Sequence, residues 1–375
     1  MVERPTSATI HLPAIRANFA VAQKRSAGRD PIAVIKADAY GHGAVRVAQA
    51  LTDAGCSRFA VTTVPEAEAL RDAGVRAPIL VLGGVWGSEE AQAAVARELV
   101  PVIHHAGHLE WLAAAARDRA APLPVHVEID TGMRRMGVPA EHAVELLVAV
   151  AAEPALALEG AYTHFARADE VDLVPSLEQL ASFHRVLAAA DVQPRCIHAA
   201  NSAAILTGDP IWNAMPEQTA TRPGLMLYGV SPAPHLDADL SAAMTLKSRV
   251  VALRSVGAGE SVGYSAEFRA ATDTRVATLA IGYEDGVPIS SSGCGAVIIR
   301  GRRLPLAGRV SMDYIGVDVG SAPVEIGDEA ILFGASSAPD EKHAVSVAQA
   351  AQAANTIAYE LLVRVGQRVF RHYRE

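Results

Sequence analysis

An eightfold alternation of apolar runs and amphipathic segments dominates the chain between residues 31 and 228. The apolar runs have the length of β-strands, and the alanine-rich segments between them have the spacing of helices. The predicted strands cover residues 31–36, 59–63, 78–82, 100–104, 125–130, 158–165, 195–201 and 219–227. Eight strand-helix repeats of this kind predict a (β/α)8 barrel of the TIM type.

The pattern changes after about residue 240, where short strands alternate with Gly and Pro turns and no long helices separate them. Strands are predicted there at 245–256, 276–281, 296–300, 316–319 and 330–333, followed by one helix over 346–363. The predicted fold class is α/β, with a barrel over residues 1–240 and a mainly β domain over residues 241–375. A short strand at residues 9–12, before the barrel, is expected to pair with the second domain.

Composition excludes several classes of function. The net charge of −8 provides no broad basic surface for nucleic acid. Charges interrupt the alanine-rich stretches well before the roughly 20 apolar residues that a membrane helix needs, and the first residues do not resemble a signal peptide. The three cysteines are odd in number and lack metal-ligand spacing. We therefore expect a cytoplasmic protein without a disulfide framework or a metal site, binding neither nucleic acid nor membrane.

Lys36 ends the first predicted strand and precedes a turn bracketed by glycines. The chain contains only four lysines against twenty-nine arginines, so an amine at a strand end calls for a chemical reason. An amine can form a Schiff base, and a guanidinium cannot. The alternative is a lysine whose stem packs on apolar surface while its ammonium stays in water.

Polar side chains also follow the other predicted strands, at the end of the barrel where enzymes of this fold build active sites. They belong to Glu128, Asp130, His164, His198, Asn201, Ser202 and Arg222, and Gly224 follows Arg222 closely. Ser202 can cap a helix and donate to a phosphate, and Gly224 lets backbone N–H groups approach an anion. A Schiff-base lysine opposite a phosphate pocket indicates pyridoxal 5′-phosphate as the cofactor.

Six longer motifs carry a family resemblance. They are VIKADAYGHG at 34–43, DTGMRRMG at 130–137, THFA at 163–166, HAANS at 198–202, RPGLMLYG at 222–229 and GRVSMD at 308–313. In these motifs and their order the chain resembles the alanine racemases, pyridoxal-phosphate enzymes with an N-terminal barrel and a C-terminal β domain. The resemblance covers nearly the whole chain and implies the interconversion of L-alanine and D-alanine.

The resemblance also implies two bases. Lys36 would bind the cofactor and act on one face of the substrate Cα, and Tyr264 would act on the opposite face. Inverting a stereocentre requires removing a proton from one side and returning one to the other. In this family the tyrosine and the residue matching Met312 come from the partner subunit, so the resemblance implies a homodimer with shared active sites.

The remaining roles implied by the resemblance concern the cofactor and the amino-acid substrate. Arg222 matches the arginine that faces the pyridine nitrogen. Arg135 matches the arginine that contacts the cofactor phenolic oxygen and the substrate carboxylate. The other matched positions are Tyr40, His164, Asn201, Ser202, Gly224, Leu225 and Tyr359 for the cofactor, and Met312 and Tyr283 for the substrate. Aromatic packing between domains is the alternative interpretation of Tyr283 and Tyr359.

Three positions depart from the family pattern. Glu128 stands where many members carry a carbamylated lysine, and we expect its carboxylate to supply the same negative charge to Arg135 without the modification. Ser311 replaces a frequent cysteine, and Val287 replaces a frequent aromatic residue. These changes leave the implied chemistry intact and the substrate less constrained.

Three other functions compete with alanine racemisation. A racemase of serine or another small amino acid would share the same motifs. A pyridoxal-phosphate decarboxylase of the same architecture would be expected to carry a catalytic cysteine near Ser311 and a glycine-rich phosphate loop, which the sequence lacks. A non-catalytic carrier of the cofactor would have no use for Tyr264 or for the β domain.

Overall fold

The computed structural model describes residues 4–236, 238–334 and 344–375. The chain divides into two compact units. The barrel unit comprises Ile15–Ala39 and Ala44–Leu240, and the β unit comprises Met1–Ala14, Tyr40–Gly43 and Ser241–Glu375. The domain limits drawn from the sequence, 1–240 and 241–375, stay a prediction.

Helices and strands alternate through the first part of the chain. In chain order they are β1 (Ser7–His11), α1 (Leu12–Arg25), β2 (Asp30–Val34), α2 (Lys36–Gly41), α3 (Ala44–Asp53), β3 (Arg58–Val61), α4 (Val64–Asp72), β4 (Ile79–Val81), α5 (Ser88–Ala96), β5 (Val100–Ile103), α6 (Ala106–Ala116), β6 (Leu123–Asp130), β7 (Val138–Pro139), α7 (Ala140–Ala152), β8 (Leu156–Tyr162), α8 (Val174–Ala190), β9 (Cys196–His198), α9 (Ser202–Thr207), α10 (Asp209–Ala214) and β10 (Ala220–Thr221).

Eight parallel strands form the barrel, in the order β10-β2-β3-β4-β5-β6-β8-β9. A parallel bridge between Asn201 and Arg222, together with a 2.8 Å bond from the Thr219 N–H to the Ile197 carbonyl, links β9 to β10. Strands β4 and β5 are buried along their whole length, as expected for a parallel sheet covered by helices. The predicted fold class is confirmed.

The loop from β3 into α4 shows how local sequence sets a helix start. Thr63 and Glu66 form a capping box, in which each side chain accepts a hydrogen bond from the other's backbone N–H. Pro65 in the first turn has the fixed φ that a helix start favours. Val64, Ala67 and Leu70 form the buried face of α4. The capping box therefore fixes Glu66 beside the carboxyl end of β3.

The last two predicted barrel strands are much shorter than the sequence indicated. The run 195–201 contains only β9, and the run 219–227 contains only β10 followed by a 3₁₀ turn over Leu225–Tyr228. Pro223 has no backbone N–H to donate to a neighbouring strand, and Gly224 adopts φ −124° and ψ −94°, outside the strand region. The apolar residues after Gly224 are buried as a turn rather than as a strand.

The second part of the chain is mainly β. Its elements are β11 (Met244–Val256), β12 (Ser261–Val262), β13 (Phe268–Arg269), β14 (Thr274–Leu279), β15 (Ala296–Ile299), β16 (Arg302–Pro305), β17 (Ile315–Asp318), β18 (Glu329–Phe333), α11 (Val347–Ala353), α12 (Ala358–Val363) and β19 (Phe370–Arg374). The main sheet has the order β16-β15-β18-β11-β1-β19. Strand β1 lies between β11 and β19, antiparallel to the first and parallel to the second.

The single helix predicted over 346–363 is wrong. Two helices, α11 and α12, occupy this stretch, and Asn355 between them has φ +52°. A left-handed residue ends a helix, and asparagine tolerates this conformation better than most residues. Among the described helices, none combines the length and the apolar character that a membrane crossing needs.

Candidate active site

The barrel unit places predicted site residues after the carboxyl ends of several strands. Lys36 follows β2, Arg135 follows β6, His164 follows β8, Ser202 follows β9 and Arg222 follows β10. These groups lie close enough to influence one another, because the charges of Arg135, Arg222 and Lys36 all act on His164. The barrel rim therefore brings together the side chains that the sequence analysis assigned to one site.

Lys36 begins an unusual turn, α2. Ala37, Asp38, Ala39 and Tyr40 all have φ between +50° and +53°, so the turn is left-handed. For L-residues each such position costs roughly 1–2 kcal/mol. The Ala39 N–H donates to the Ile35 carbonyl at 2.9 Å, and the Ala44 N–H donates to Asp38 Oδ1 at 2.7 Å. Strained backbone persists only where its surroundings hold it, and such strain is concentrated at functional sites.

The Lys36 amine is half-buried and has no hydrogen-bond or ion-pair partner among the described residues. Burial lowers the pKa of Lys36, and the positive charge of Arg135 lowers it further. The carboxylates of Glu66 and Glu128 oppose this effect and raise the pKa. A lysine with a lowered pKa is neutral in a larger fraction of molecules near neutral pH, as a nucleophile or a base requires.

Arg222 is buried and held from several sides. Its Nη1 donates to His198 Nδ1 and to the His198 carbonyl, the latter at 3.0 Å. Its Nη2 donates to the Thr163 carbonyl at 2.8 Å and to His164 Nδ1 at 3.3 Å. The guanidinium also lies over the Tyr162 ring, 4.6 Å from the ring centroid. Among the described residues the Nε–H has no acceptor, so one donor of a fixed cation remains for a ligand.

The hydrogen bond from Arg222 fixes the protonation of two histidines. Because His198 Nδ1 accepts from Arg222, its Nε2–H donates to His126 Nδ1, 2.9 Å away. Burial, followed by the charges of Arg222 and Arg135, lowers the pKa of His164 to about 3. His164 and His198 are therefore neutral near pH 7 and accept hydrogen bonds from Arg222, and His126 accepts from His198.

His126, Cys196 and His198 have potential ligand atoms within 4.8 Å of one another. The positive charges of Arg58 and Arg222 both act on the two histidines, and His198 already accepts from Arg222. Neighbouring cations and a used lone pair disfavour binding of a further cation. We therefore assign these residues to the support of Arg222 and propose no metal site.

The helix cap beside the last strand differs from the prediction. Asn201, and not Ser202, caps α9, because its Oδ1 accepts from the Ala204 N–H at 3.1 Å. Ser202 is the first helical residue, and its Oγ accepts from the Gly224 and Met226 N–H groups at 2.9 and 3.3 Å. With its lone pairs used, the buried hydroxyl keeps its hydrogen as a donor, which suits an anion.

Glu128 contacts residues other than Arg135. It accepts from the Tyr162 hydroxyl at 2.9 Å and lies 3.3 Å from His104 Nδ1. Burial raises the pKa of Glu128, and the nearby arginine charges lower it. Among the described residues Glu128 makes no hydrogen bond or ion pair with Arg135, the residue to which its negative charge was expected to be supplied. Glu128 acts on Arg135 only through its charge.

The β unit carries the other predicted residues. Tyr264 is 70% exposed and Met312 is 50% exposed. The Tyr283 N–H donates to the Ser311 carbonyl at 3.0 Å, and the next N–H donates to the Met312 carbonyl at 3.2 Å, so Tyr283 and Met312 are neighbours. Ser311 Oγ donates to the Tyr314 carbonyl at 2.8 Å and thus stabilises this loop.

Two tyrosines of the β unit that the resemblance assigned to the cofactor lie close together. The rings of Tyr40 and Tyr359 lie 6.2 Å apart at an angle of 44°. Burial raises the pKa of Tyr40, so its hydroxyl stays protonated and can donate. Val287, which stands where the family often has an aromatic residue, is buried.

Three residues that organise the site were missed by the sequence analysis: Glu66, His126 and Tyr162. A Thr-x-x-Glu capping box before an apolar run is a signal that could have identified Glu66. Strand alternation puts His126 on the same face as Glu128, but it does not identify the residues opposite on neighbouring strands. Tyr162, whose ring stacks on His198 at 4.7 Å, therefore had no sequence signal of its own.

Comparisons with known proteins agree over the whole chain. Residues 10–232 match the family model for the alanine racemase N-terminal domain, and residues 243–373 match the model for the C-terminal domain. An alanine racemase of Sorangium cellulosum is 38% identical, over 99% of this chain and 100% of the relative. One of Syntrophobacter fumaroxidans is 40% identical, over 97% of this chain and 96% of the relative.

A solved structure gives the same result. The crystal structure of alanine racemase from D-cycloserine-producing Streptomyces lavendulae has a TM-score of 0.92 and 35% identity, covering 100% of this chain and 98% of that one. The resemblance stated from the motifs is confirmed at the level of both domains. The chain belongs to the alanine racemase family of pyridoxal-phosphate enzymes.

Proposed function

We propose that the chain interconverts L-alanine and D-alanine with pyridoxal 5′-phosphate, using Lys36 and Tyr264 of the partner subunit as two bases. The observation that supports this most strongly is the Lys36 amine, half-buried, without a hydrogen-bond partner among the described residues, and near Arg135 and His164. The family membership of the full chain supports the choice of reaction and cofactor.

The residues at the barrel rim fit this cofactor. Lys36 offers an amine for covalent attachment, the Ser202 hydroxyl offers a donor to a phosphate, and the Arg222 Nε–H offers a donor to a ring nitrogen. Gly224, Leu225 and the cap at Asn201 are proposed to complete the phosphate side, with Tyr40 and Tyr359. When bound, the cofactor acts as an electron sink that acidifies the Cα–H of an amino acid.

The two bases would move protons at opposite faces of the substrate Cα. In one direction Lys36 Nζ accepts the proton and Tyr264 Oη of the partner subunit donates one, and in the other direction the roles reverse. After one turnover the two groups have exchanged protonation states, which exchange with water can restore. Arg222 can only donate, so it disfavours a protonated ring nitrogen and favours prompt return of the proton.

The exposure of Tyr264 supports a dimer with shared sites. Tyr264, Met312 and Tyr314 are at least half exposed on their own chain. A second copy that covers these side chains would bring Tyr264 to the barrel site of its partner.

Substrate recognition is proposed to use Arg135 for the carboxylate and Met312 of the partner subunit beside it, with Tyr283 at the entrance. The exposed, unpaired Arg135 side chain among the described residues is free to bind a carboxylate. A cytoplasmic location stays a prediction, supported by the three cysteines that remain free thiols.

The test is incubation of the purified holoenzyme with L-alanine in D2O, following optical rotation and deuterium at Cα. We expect loss of rotation together with one deuterium per inverted Cα, because the donating base exchanges its proton with solvent. L-serine in a parallel reaction tests the related substrate. Release of CO2, or the absence of Cα exchange, would contradict the proposal.

A further inference from the structure

We propose that Glu66 is a positioning residue for Lys36: its carboxylate holds the left-handed turn that carries the amine and presents a negative charge to that amine. The inference rests on the proposed role of Lys36 as the cofactor lysine. Glu66 lies on α4, one strand-helix unit further along the chain.

Three backbone N–H groups donate to the Glu66 carboxylate. Oε1 accepts from Ala37 at 2.7 Å, and Oε2 accepts from Thr62 at 2.7 Å and from Thr63 at 3.1 Å. All three partners are donors, so both oxygens of the Glu66 side chain act as acceptors, as suits a carboxylate. Bonds to an ionised group are stronger than neutral ones, so Glu66 ties the turn after β2 to the carboxyl end of β3.

The hydrogen bond from Ala37 lies at the start of the left-handed turn. Ala37 is the first of the left-handed residues, with φ +50°, and it directly follows Lys36. Immediately before Lys36, the Ile35 N–H donates to the Ala60 carbonyl of β3 at 2.9 Å, which is the end of regular pairing between the strands. Beyond this point the hydrogen bond from the Ala37 N–H to Glu66 keeps the backbone left-handed. A right-handed backbone at Ala37 would point the Lys36 amine in another direction.

The charge of Glu66 also balances the field at the amine. The charges that act on Lys36 are those of Arg135, Glu66 and Glu128. The neutral His164 lies near enough to Lys36 to be affected by its charge. Arg135 lowers the pKa of Lys36, whereas Glu66 and Glu128 raise it. Neutralising Glu66 would therefore lower the pKa of Lys36 further, while Glu128 alone would remain to oppose Arg135.

The experiment compares Glu66→Gln with Glu68→Gln. Glu68 lies on the same helix, and its carboxylate is 3.5 Å from Arg97 Nε rather than beside the turn. In cofactor-free protein, lysines are dimethylated with ¹³C-formaldehyde and titrated by NMR. With only four lysines in the chain, a Lys36→Arg variant identifies the Lys36 signal. Racemisation kinetics of the holoenzymes are measured in parallel.

We expect the Lys36 titration to move to lower pH in Glu66→Gln and to stay at the wild-type position in Glu68→Gln. The kcat of Glu66→Gln should fall about tenfold or more, because the amide offers one accepting oxygen where the carboxylate offers two, while KM changes little. An unchanged titration and an unchanged kcat in Glu66→Gln would overturn the proposal.

Glu66→Asp separates the effect of the three hydrogen bonds from the effect of the charge. It also provides a second variant if Glu66→Gln does not fold. Aspartate keeps the negative charge but is too short for all three bonds, so the Lys36 titration should stay near wild type while kcat falls. A shift as large as that of Glu66→Gln would contradict the assigned role of the charge. A wild-type enzyme that fails to racemise alanine would overturn the proposed function, whereas the titration judges Glu66 independently.

Discussion

At the residue scale, the site works through side chains whose protonation is set by their neighbours. Arg222 donates to His198, and His198 donates to His126, so a cation and two neutral rings form one chain of hydrogen bonds. Arg222 keeps its protons and can only donate, so His198 must accept from it at Nδ1. The other ring nitrogen of His198 then carries the hydrogen that His126 accepts. The arginine is thereby fixed as a donor toward whatever faces its Nε–H.

Ser202 provides a test of the phosphate side. In Ser202→Ala the Gly224 and Met226 N–H groups lose their acceptor, and the donor hydroxyl disappears. We expect the Kd for pyridoxal 5′-phosphate to rise about 5- to 30-fold, corresponding to roughly 1–2 kcal/mol. The Kd is measured by absorption titration of cofactor-free protein. Thr207→Ala, on the same helix but bonded only to the Ala203 carbonyl, is the control; equal effects in both variants would contradict the assignment.

Single residues also show how much of the site can be predicted from the sequence. Motif matches predicted Lys36, Arg222 and Ser202 as site residues, because each has a distinct chemical type in a distinct place, and the structure places all three after the ends of barrel strands. The choice between Asn201 and Ser202 as helix cap was not predictable, since both are good caps and only the loop after β10 decides which oxygen is used. The direct bond of Glu128 to Tyr162 depends on strand register, which local sequence does not specify.

At the element scale, the decisive feature is the left-handed turn α2. Four consecutive L-residues in this conformation store several kcal/mol of strain in total. The hydrogen bonds that Asp38, Glu66 and the Ile35 carbonyl accept from backbone N–H groups offset this strain. The turn is therefore defined by its contacts with neighbouring segments more than by the preferences of its own residues.

Ala37 allows a direct test of this conformation, because its side chain is exposed and changes there act through the backbone. At φ +50°, Ala37→Gly should stabilise the protein by up to about 1 kcal/mol, and Ala37→Val should destabilise it by about 1–2 kcal/mol. Urea unfolding of both variants measures the two effects. In a right-handed helix, Ala37→Gly would destabilise the protein more than Ala37→Val. That result would contradict a left-handed turn.

The elements also show where sequence patterns fail. Strands with continuous apolar runs were predicted within a few residues, because the period and the flanking turns agree. The run 219–227 was too long because its apolar residues continue past Pro223 and Gly224, where the backbone cannot extend a strand. The break at Asn355 was missed because the alanine-rich run on both sides favours a helix.

At the scale of the whole molecule, buried histidines make stability depend on pH. Burial, followed by the charges of Arg58 and Arg222, lowers the pKa of His126 to about 3, and burial lowers that of His104 to about 4. The unfolded chain, with a histidine pKa of 6.5, binds more protons below that pH. The stability from neutral burial is therefore complete above pH 6.5 and is lost as the pH falls toward 4.

We expect the free energy of unfolding of the barrel unit to be lower at pH 5 than at pH 7.5. All three tryptophans, Trp86, Trp111 and Trp212, lie in this unit, so their fluorescence follows its unfolding in urea. His126→Gln should reduce the dependence on pH by up to about 1.4 kcal/mol per pH unit, which is one proton's contribution. His184→Gln, at an exposed histidine, is the control; a slope unchanged by His126→Gln would refute the linkage.

The central claim is that each active site uses Lys36 of one chain and Tyr264 of its partner. It predicts a specific result when the two residues are mutated on different chains. In a heterodimer of Lys36→Ala and Tyr264→Phe, both native bases would meet in one site and neither would remain in the other. If Tyr264 served its own chain instead, every site would lack one base.

The measurement is the racemisation rate of this heterodimer, purified through a different affinity tag on each chain. We expect both mutant homodimers to be nearly inactive and the heterodimer to show about half the wild-type kcat per dimer, because one of the two symmetry-related sites is intact. A heterodimer no more active than the two mutant homodimers would contradict the shared two-base site.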